Sequence, residues 1–371
     1  MRLSIILTIW LISKKYFSSN KPVFIPMFQY QQPLINNVGH LITFDKNWIY
    51  GQLNGSVTIH IDDSTIKLDN TYHIPHLIDN NLFIIGAEGS STSRIFSLTT
   101  LTETKTYEKV LHFRGKENGI AWGVINNLNQ IDAEWFTFDT ATNEIKNIYP
   151  LLYGINGMWY VINEDLFISK KGAILTVHEL ATGNEVWRFD VESLGTWEEF
   201  GDTRSHKIRT FRYHEPTQTI LVAVSGHKLF ALDALTGAIK WRFDFKMPTV
   251  NMTIDGSELF VRNPAEYYYV FDISTGRVIS EVDLSQSWLS QREMFSSMQT
   301  NPVIYKDYLL MTDCYRMRVG IFDKYSCELI DSTVLEGASG MIPFSNTLQM
   351  QGNRLYQIDA EDNLHILEWK P

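Results

Sequence analysis

Few residues in this chain have types and spacing that could do chemistry. His73 and His76, in Tyr-His-Ile-Pro-His, stand three apart, a spacing that on a helix would put both imidazoles on one face. Pro75 between them and the strand-like surroundings remove that geometry. No Asp, Glu or Cys nearby completes a zinc-type set, so the expectation is a solvated loop and no metal. Asp62 and Asp63 read as a hairpin turn. The two cysteines, Cys314 and Cys327, fall on strands that flank a third. Their backbones should then lie about 9–10 Å apart, twice the inter-strand spacing, whereas a disulfide needs Cα atoms within about 7 Å. Two free thiols are expected, which suits a reducing cytoplasm. No G-x-S-x-G, P-loop or dinucleotide fingerprint is present. No catalytic, cofactor-binding or metal-binding residue is therefore assigned, and the chain is expected not to be an enzyme.

Binding chemistry concentrates in two long insertions, 192–206 and 285–300. Long connections in a compact domain are uncommon unless they are functional or disordered. These two carry Trp197, Phe200, Arg204, Trp288, Arg292, Met294 and Phe295, the types enriched at binding hot spots. Glu198, Glu199 and Asp202 add acidic character. The expectation is contact with a protein partner. The competing expectation is that the aromatic rings fold back into the domain that bears them.

The elements that must position these insertions are read from residues 221–245, LVAVSGHKLFALDALTGAIKWRFDF. Two strand-like runs flank a Ser-Gly-His turn, and a third run follows a second turn. In that second turn Asp233 can accept bonds from the amides just after it, beside Thr236. Gly237 supplies the positive φ of a bulged hairpin. Trp241 follows four residues later, where a large ring can pack on a neighbouring unit. The pattern recurs as Glu179, Thr182, Gly183 and Trp187, and as Asp272, Thr275 and Gly276 with Ser280 in the tryptophan position. It is looser at Asp139, Thr142 and Asn143, and degenerate at Asp323 to Cys327. Tyr267, Tyr268 and Tyr269 alternate across a strand and read as core.

The turn positions 143, 183, 237, 276 and 327 recur every 40 to 54 residues or so, the size of a four-stranded blade. Eight segments can be read: 41–69, 74–110, 120–149, 159–191, one from about 207, 249–284, 302–335 and 347–369. The fold class expected is all-β, a closed β-propeller of four-stranded antiparallel blades. Eight blades are favoured, and seven is the alternative if the first or last segment is misread. Each sheet has two apolar faces that only radial stacking hides. The last segment supplies three strands, so a strand from the N-terminal region, near 23–29, is expected to complete it. In such a ring the two insertions emerge on one face and the Asp-x-x-Thr-Gly turns on the other.

Residues 231–241, Ala-Leu-Asp-Ala-Leu-Thr-Gly-Ala-Ile-Lys-Trp, resemble the A-x-D-x-x-T-G-x-x-x-W repeat of pyrroloquinoline-quinone-type β-propellers. Residues 177–187 are a second match and 270–280 a third. The resemblance implies the propeller fold. It does not imply one function, because the repeat builds both quinone-dependent dehydrogenases and propellers that only bind proteins. The dehydrogenases of that family hold their cofactor beneath a vicinal disulfide and beside calcium. Here the two cysteines are not adjacent and the chain is short, so no cofactor is expected.

Composition bounds the rest. The 371 residues carry a formal net charge of −10, with 13% aromatic residues and basic residues scattered along the chain. That balance argues against nucleic acid and anionic membrane, which require a concentrated positive surface. Residues 1–22 form a leader or poorly ordered segment, and 23–371 a single domain. Arg2 and the apolar run 3–12 resemble the start of a secretory signal, but Lys14 and Lys15 stand where a neutral cleavage site belongs. The run is also too short to span a bilayer. A cytoplasmic protein is favoured, with a periplasmic or secreted one as the alternative. The functional expectation is a non-enzymatic scaffold binding a protein through its loop-rich face. The alternative is an exported propeller, either an envelope-assembly scaffold or a remnant quinone dehydrogenase. Oligomeric state is left open.

Overall fold

The computed structural model describes residues 27–30, 35, 38–44, 47–52, 56–61, 64–68, 72–79, 82–87, 92–100, 102–117, 120–126, 134–150, 158–163, 165–199, 201–245, 251–262, 267–284, 302–313, 316–338 and 348–370. Their strands form eight four-stranded antiparallel sheets and one two-stranded hairpin. The first sheet contains Val38–Phe44, Asn47–Gln52, Val57–Ile61 and Ser64–Leu68, and the second Tyr72–Asp79, Leu82–Ala87, Ser93–Ser97 and Glu103–Tyr107. The third runs through Val110–Glu117, Ile120–Asn126, Glu134–Asp139 and Glu144–Pro150, the fourth through Met158–Val161, Leu166–Lys171, Ile174–Glu179 and Glu185–Asp190. The fifth is Ile208–His214, Thr219–Val224, Lys228–Asp233 and Ile239–Asp244. The sixth is Asn251–Asp255, Glu258–Arg262, Tyr267–Asp272 and Val278–Asp283, and the seventh Val303–Tyr305, Tyr308–Asp313, Arg318–Asp323 and Leu329–Val334. In the eighth, Gln349–Gln351, Arg354–Ile358 and Leu364–Lys370 are completed by Met27–Tyr30 from the other end of the chain.

Strand alternation explains why the sheets stack. In Thr219–Val224 all six residues are buried. Ile220, Val222 and Val224 face the fourth sheet, packing with Ile168, Leu175 and Val177. Leu221 and Ala223 point the other way, toward Met252, Leu259 and Val261 of the sixth. The tyrosine triplet divides likewise: Tyr269 packs toward the fifth sheet and Tyr268 toward Leu309 and Met311 of the seventh. Phe28, Leu355 and Trp369 of the eighth sheet meet Leu310 and Ile321 of the seventh. Tyr356 and Ile366 meet Trp48 and Tyr50 of the first. Thr43 of the first sheet donates to Gln349 Oε1 of the eighth at 2.9 Å.

The recurrent turn is built as its residues require. Asn143, Gly183, Gly237, Gly276 and Cys327 have φ of 58°, 69°, 72°, 71° and 55°, so even the degenerate turn keeps the left-handed backbone. The Gly237 and Cys327 amides each donate to the carbonyl four residues back, at 2.9 Å. A bulge follows at the same place, for example between Ala231 and Leu232 and between Val270 and Phe271.

Three expectations need correction. Val110–Glu117 opens the third sheet, although its pattern did not read as a separate strand; a register shift between Phe113 and Gly115 breaks the alternation. His73 and His76 lie in the strand Tyr72–Asp79 rather than in a loop. That strand is at the edge of its sheet, and its pairing skips between His73 and His76, where Pro75 has no N–H to give. The N-terminal strand is Met27–Tyr30; residues 23–26, like Cys314, Asp62, Asp63 and the leader 1–22, lie outside the described residues. Cys327 is a buried, free thiol.

Candidate functional site

The first insertion is more ordered than a loop. Asp190 caps a 3-10 turn, Val191–Leu194, by accepting from the Glu192 amide. Gly195, at φ 86°, precedes a hairpin of Thr196–Glu199 and Asp202–Ser205 whose turn contains Gly201, at φ 85°, with Trp197 opposite Arg204. The two strands carry a single large apolar residue between them, Trp197, which is why the pattern did not read as a hairpin.

The hairpin rests on the fifth sheet. The half-buried Trp197 ring meets His227 at 5.5 Å, edge to face. His206 is buried, and its Nδ1 lies 2.6 Å from the Ser225 carbonyl. Gly226, at φ +75°, has no room for a side chain: a Cβ there would fall 2.9 Å from Trp197 Cγ and closer still to the His206 ring. Trp197 thus belongs partly to the expectation that the aromatics fold back. Glu198 is exposed and accepts from Thr203 Oγ1 at 2.7 Å, and Arg204 pairs with Asp202 at 3.4 Å. Glu199 contributes its backbone to the hairpin. Phe200 and the second-insertion candidates Trp288, Arg292, Met294 and Phe295 lie outside the described residues.

Sequence reasoning missed what lies under the hairpin. A cavity of about 390 Å³ is lined by Trp197, Arg204, Ser205, Lys207, Arg209 and Ser225. Lys207 and Arg209 are exposed, and the nearby Lys170 donates to the Arg209 carbonyl at 2.9 Å. Burial, and then the Arg209 charge, holds the Lys170 ammonium below its ordinary range. The signal was present in Thr-Arg-Ser-His-Lys-Ile-Arg, but the turn that completes the cavity comes some twenty residues later. Among the described residues no group of three or more His, Cys, Asp or Glu is placed to hold a metal ion.

Face-stacked four-stranded sheets, five of which carry an acidic turn with a left-handed residue four positions on, make this a β-propeller of PQQ-like repeats. The family described as outer membrane protein assembly factor BamB matches residues 170–366, and the chain belongs to it. No curated protein matches the sequence. Among solved structures, the C-terminal WD40 domain of Sif2 is similar with a TM-score of 0.62 at 9% identity, over 94% of this chain and all 100% of that one. BamB from Moraxella catarrhalis is similar with a TM-score of 0.55 at 13% identity, over 92% and 100%. The computationally designed Ika8 protein has 0.58 at 12% identity, over 90% and 96%. At such identities the likeness is one of fold.

Proposed function

We propose that the eight sheets close into an eight-bladed wheel, and that the molecule is a non-catalytic scaffold engaging a protein partner through the face that carries the hairpin. Closure is supported by the N-terminal strand Met27–Tyr30 completing the eighth sheet, and by the core joining the eighth sheet to the first. The observation that carries the binding role is the hairpin itself. It is a built projection on the face of the 171–173 and 225–227 turns, seated where Gly226 leaves room for it. The exposed Glu198, Asp202 and Arg204 sit on it. A structure made only to close the wheel has no use for it.

Affinity capture from the native host tests this with two variants. Glu198→Lys with Asp202→Lys alters the hairpin, while Arg277→Glu alters an exposed turn on the opposite face. Capture of a protein partner that falls at least about tenfold only with the hairpin variant supports the role. Equal capture by both overturns it. The match to the BamB family favours a second reading, in which the scaffold is exported and serves envelope assembly. Intact mass of the native protein decides between the compartments: a cleaved N-terminus supports export, and an unprocessed one supports the cytoplasmic protein read from the sequence.

A further inference from the structure

We propose that the cavity under the hairpin is a receptor site for an acidic, carboxylate-bearing peptide segment of the partner, an inference that rests on the scaffold reading above. The lining residues Trp197, Arg204, Arg209, Lys207, Ser205 and Ser225 bring two guanidinium groups, one ammonium and two hydroxyls to one cavity. No carboxylate, amide or imidazole lines it. Arg204 already has Asp202. Lys207 and Arg209 have no carboxylate partner among the described residues, although the molecule as a whole has ten more acidic than basic side chains. An anion entering this cavity would meet two cations.

Size and shape select a peptide. About 390 Å³ falls in the range of pockets that hold organic groups, and exceeds what a single inorganic oxyanion fills. The hairpin above it is a sheet of two strands, so its outer edges are those to which an extended chain can add. Nucleic acid is disfavoured because a few clustered cations on a chain of net charge −10 do not make the long positive track a phosphate backbone follows.

The test uses the full chain and a fluorescein-labelled hexaglutamate peptide, read by anisotropy, with hexalysine as the control. Hexaglutamate should bind, weaken with added salt, and lose at least about tenfold in affinity in Lys207→Glu with Arg209→Glu. The milder Lys207→Gln with Arg209→Gln should fall between the two. Unchanged thermal melting shows that these exposed substitutions leave the fold intact. No binding, or equal binding by all three proteins, overturns the proposal. So does displacement of the peptide by inorganic phosphate at equal molarity, which would mean that one oxyanion suffices. Partner capture that depends on the hairpin but not on Lys207 and Arg209 would leave the scaffold reading standing and this one fallen.

Discussion

Asp272 shows what a single repeat residue does. Its carboxylate accepts from Ser274 Oγ at 2.7 Å and from the Thr275 hydroxyl and amide at 2.8 and 2.9 Å. Those bonds, the Ser274 hydroxyl first, lower its pKa from 3.8 to about 2. A carboxyl depressed on folding contributes stability above its unfolded pKa, and that contribution is lost as pH falls through the folded value. Asp272→Ala should therefore lower the melting temperature by a few degrees near neutrality. The gap from the parent should close between pH 4 and pH 2. A gap that stays constant over that interval, measured by calorimetry, would rule the turn carboxylate out as its source. These turn residues were legible because every partner lies within four positions. The placing of Lys207 and Arg209 in one cavity was not, since it depends on Ser225 and on the hairpin residues Trp197, Arg204 and Ser205.

Between elements, two of the sheet interfaces are locked by a ring laid over a glycine. Trp187 of the fourth sheet donates its Nε1–H to the Ala234 carbonyl of the fifth at 3.1 Å. Trp241 does the same to Ile273 of the sixth at 2.8 Å. Each indole covers the turn glycine of the next sheet: a Cβ on Gly237 would lie 2.7 Å from Trp187, and one on Gly276 2.6 Å from Trp241. Where the tryptophan is replaced by Ser280, which donates to the Tyr325 carbonyl at 2.7 Å, the facing glycine is replaced by Cys327. At that interface ring and glycine are both absent. The positive φ was readable from the turn alone; the close approach was not, because Trp187 and Gly237, like Trp241 and Gly276, lie far apart in the chain on different sheets.

Gly256 provides the comparison, having φ +53° and nothing within 4 Å of an added Cβ. Gly256→Ala should cost only the left-handed penalty, about 1–2 kcal/mol. Gly237→Ala should cost clearly more in denaturant unfolding, and the excess should vanish in a Trp187→Ala background. Equal costs at the two glycines would refute the ring-over-glycine lock.

At the scale of the molecule, the repeated four-stranded sheets were anticipated from repeat spacing, with eight blades favoured over seven, and the N-terminal contribution to the last sheet from a final segment one strand short. The two exact strand limits were not, because Met27–Tyr30 is short and makes sense only beside Leu364–Lys370. Phe28 stands 5.0 Å from Trp369, edge to face, within the core shared with the seventh sheet. The closure proposed above therefore requires the two ends of the chain to meet. Gln29 and Glu368 are cross-strand partners, at a separation that a disulfide spans. Mild oxidation of the Gln29→Cys, Glu368→Cys variant measures that meeting directly by peptide mapping. Closure predicts a disulfide within one chain and a higher melting temperature; two thiols that stay reduced, or that link only separate chains, would contradict it.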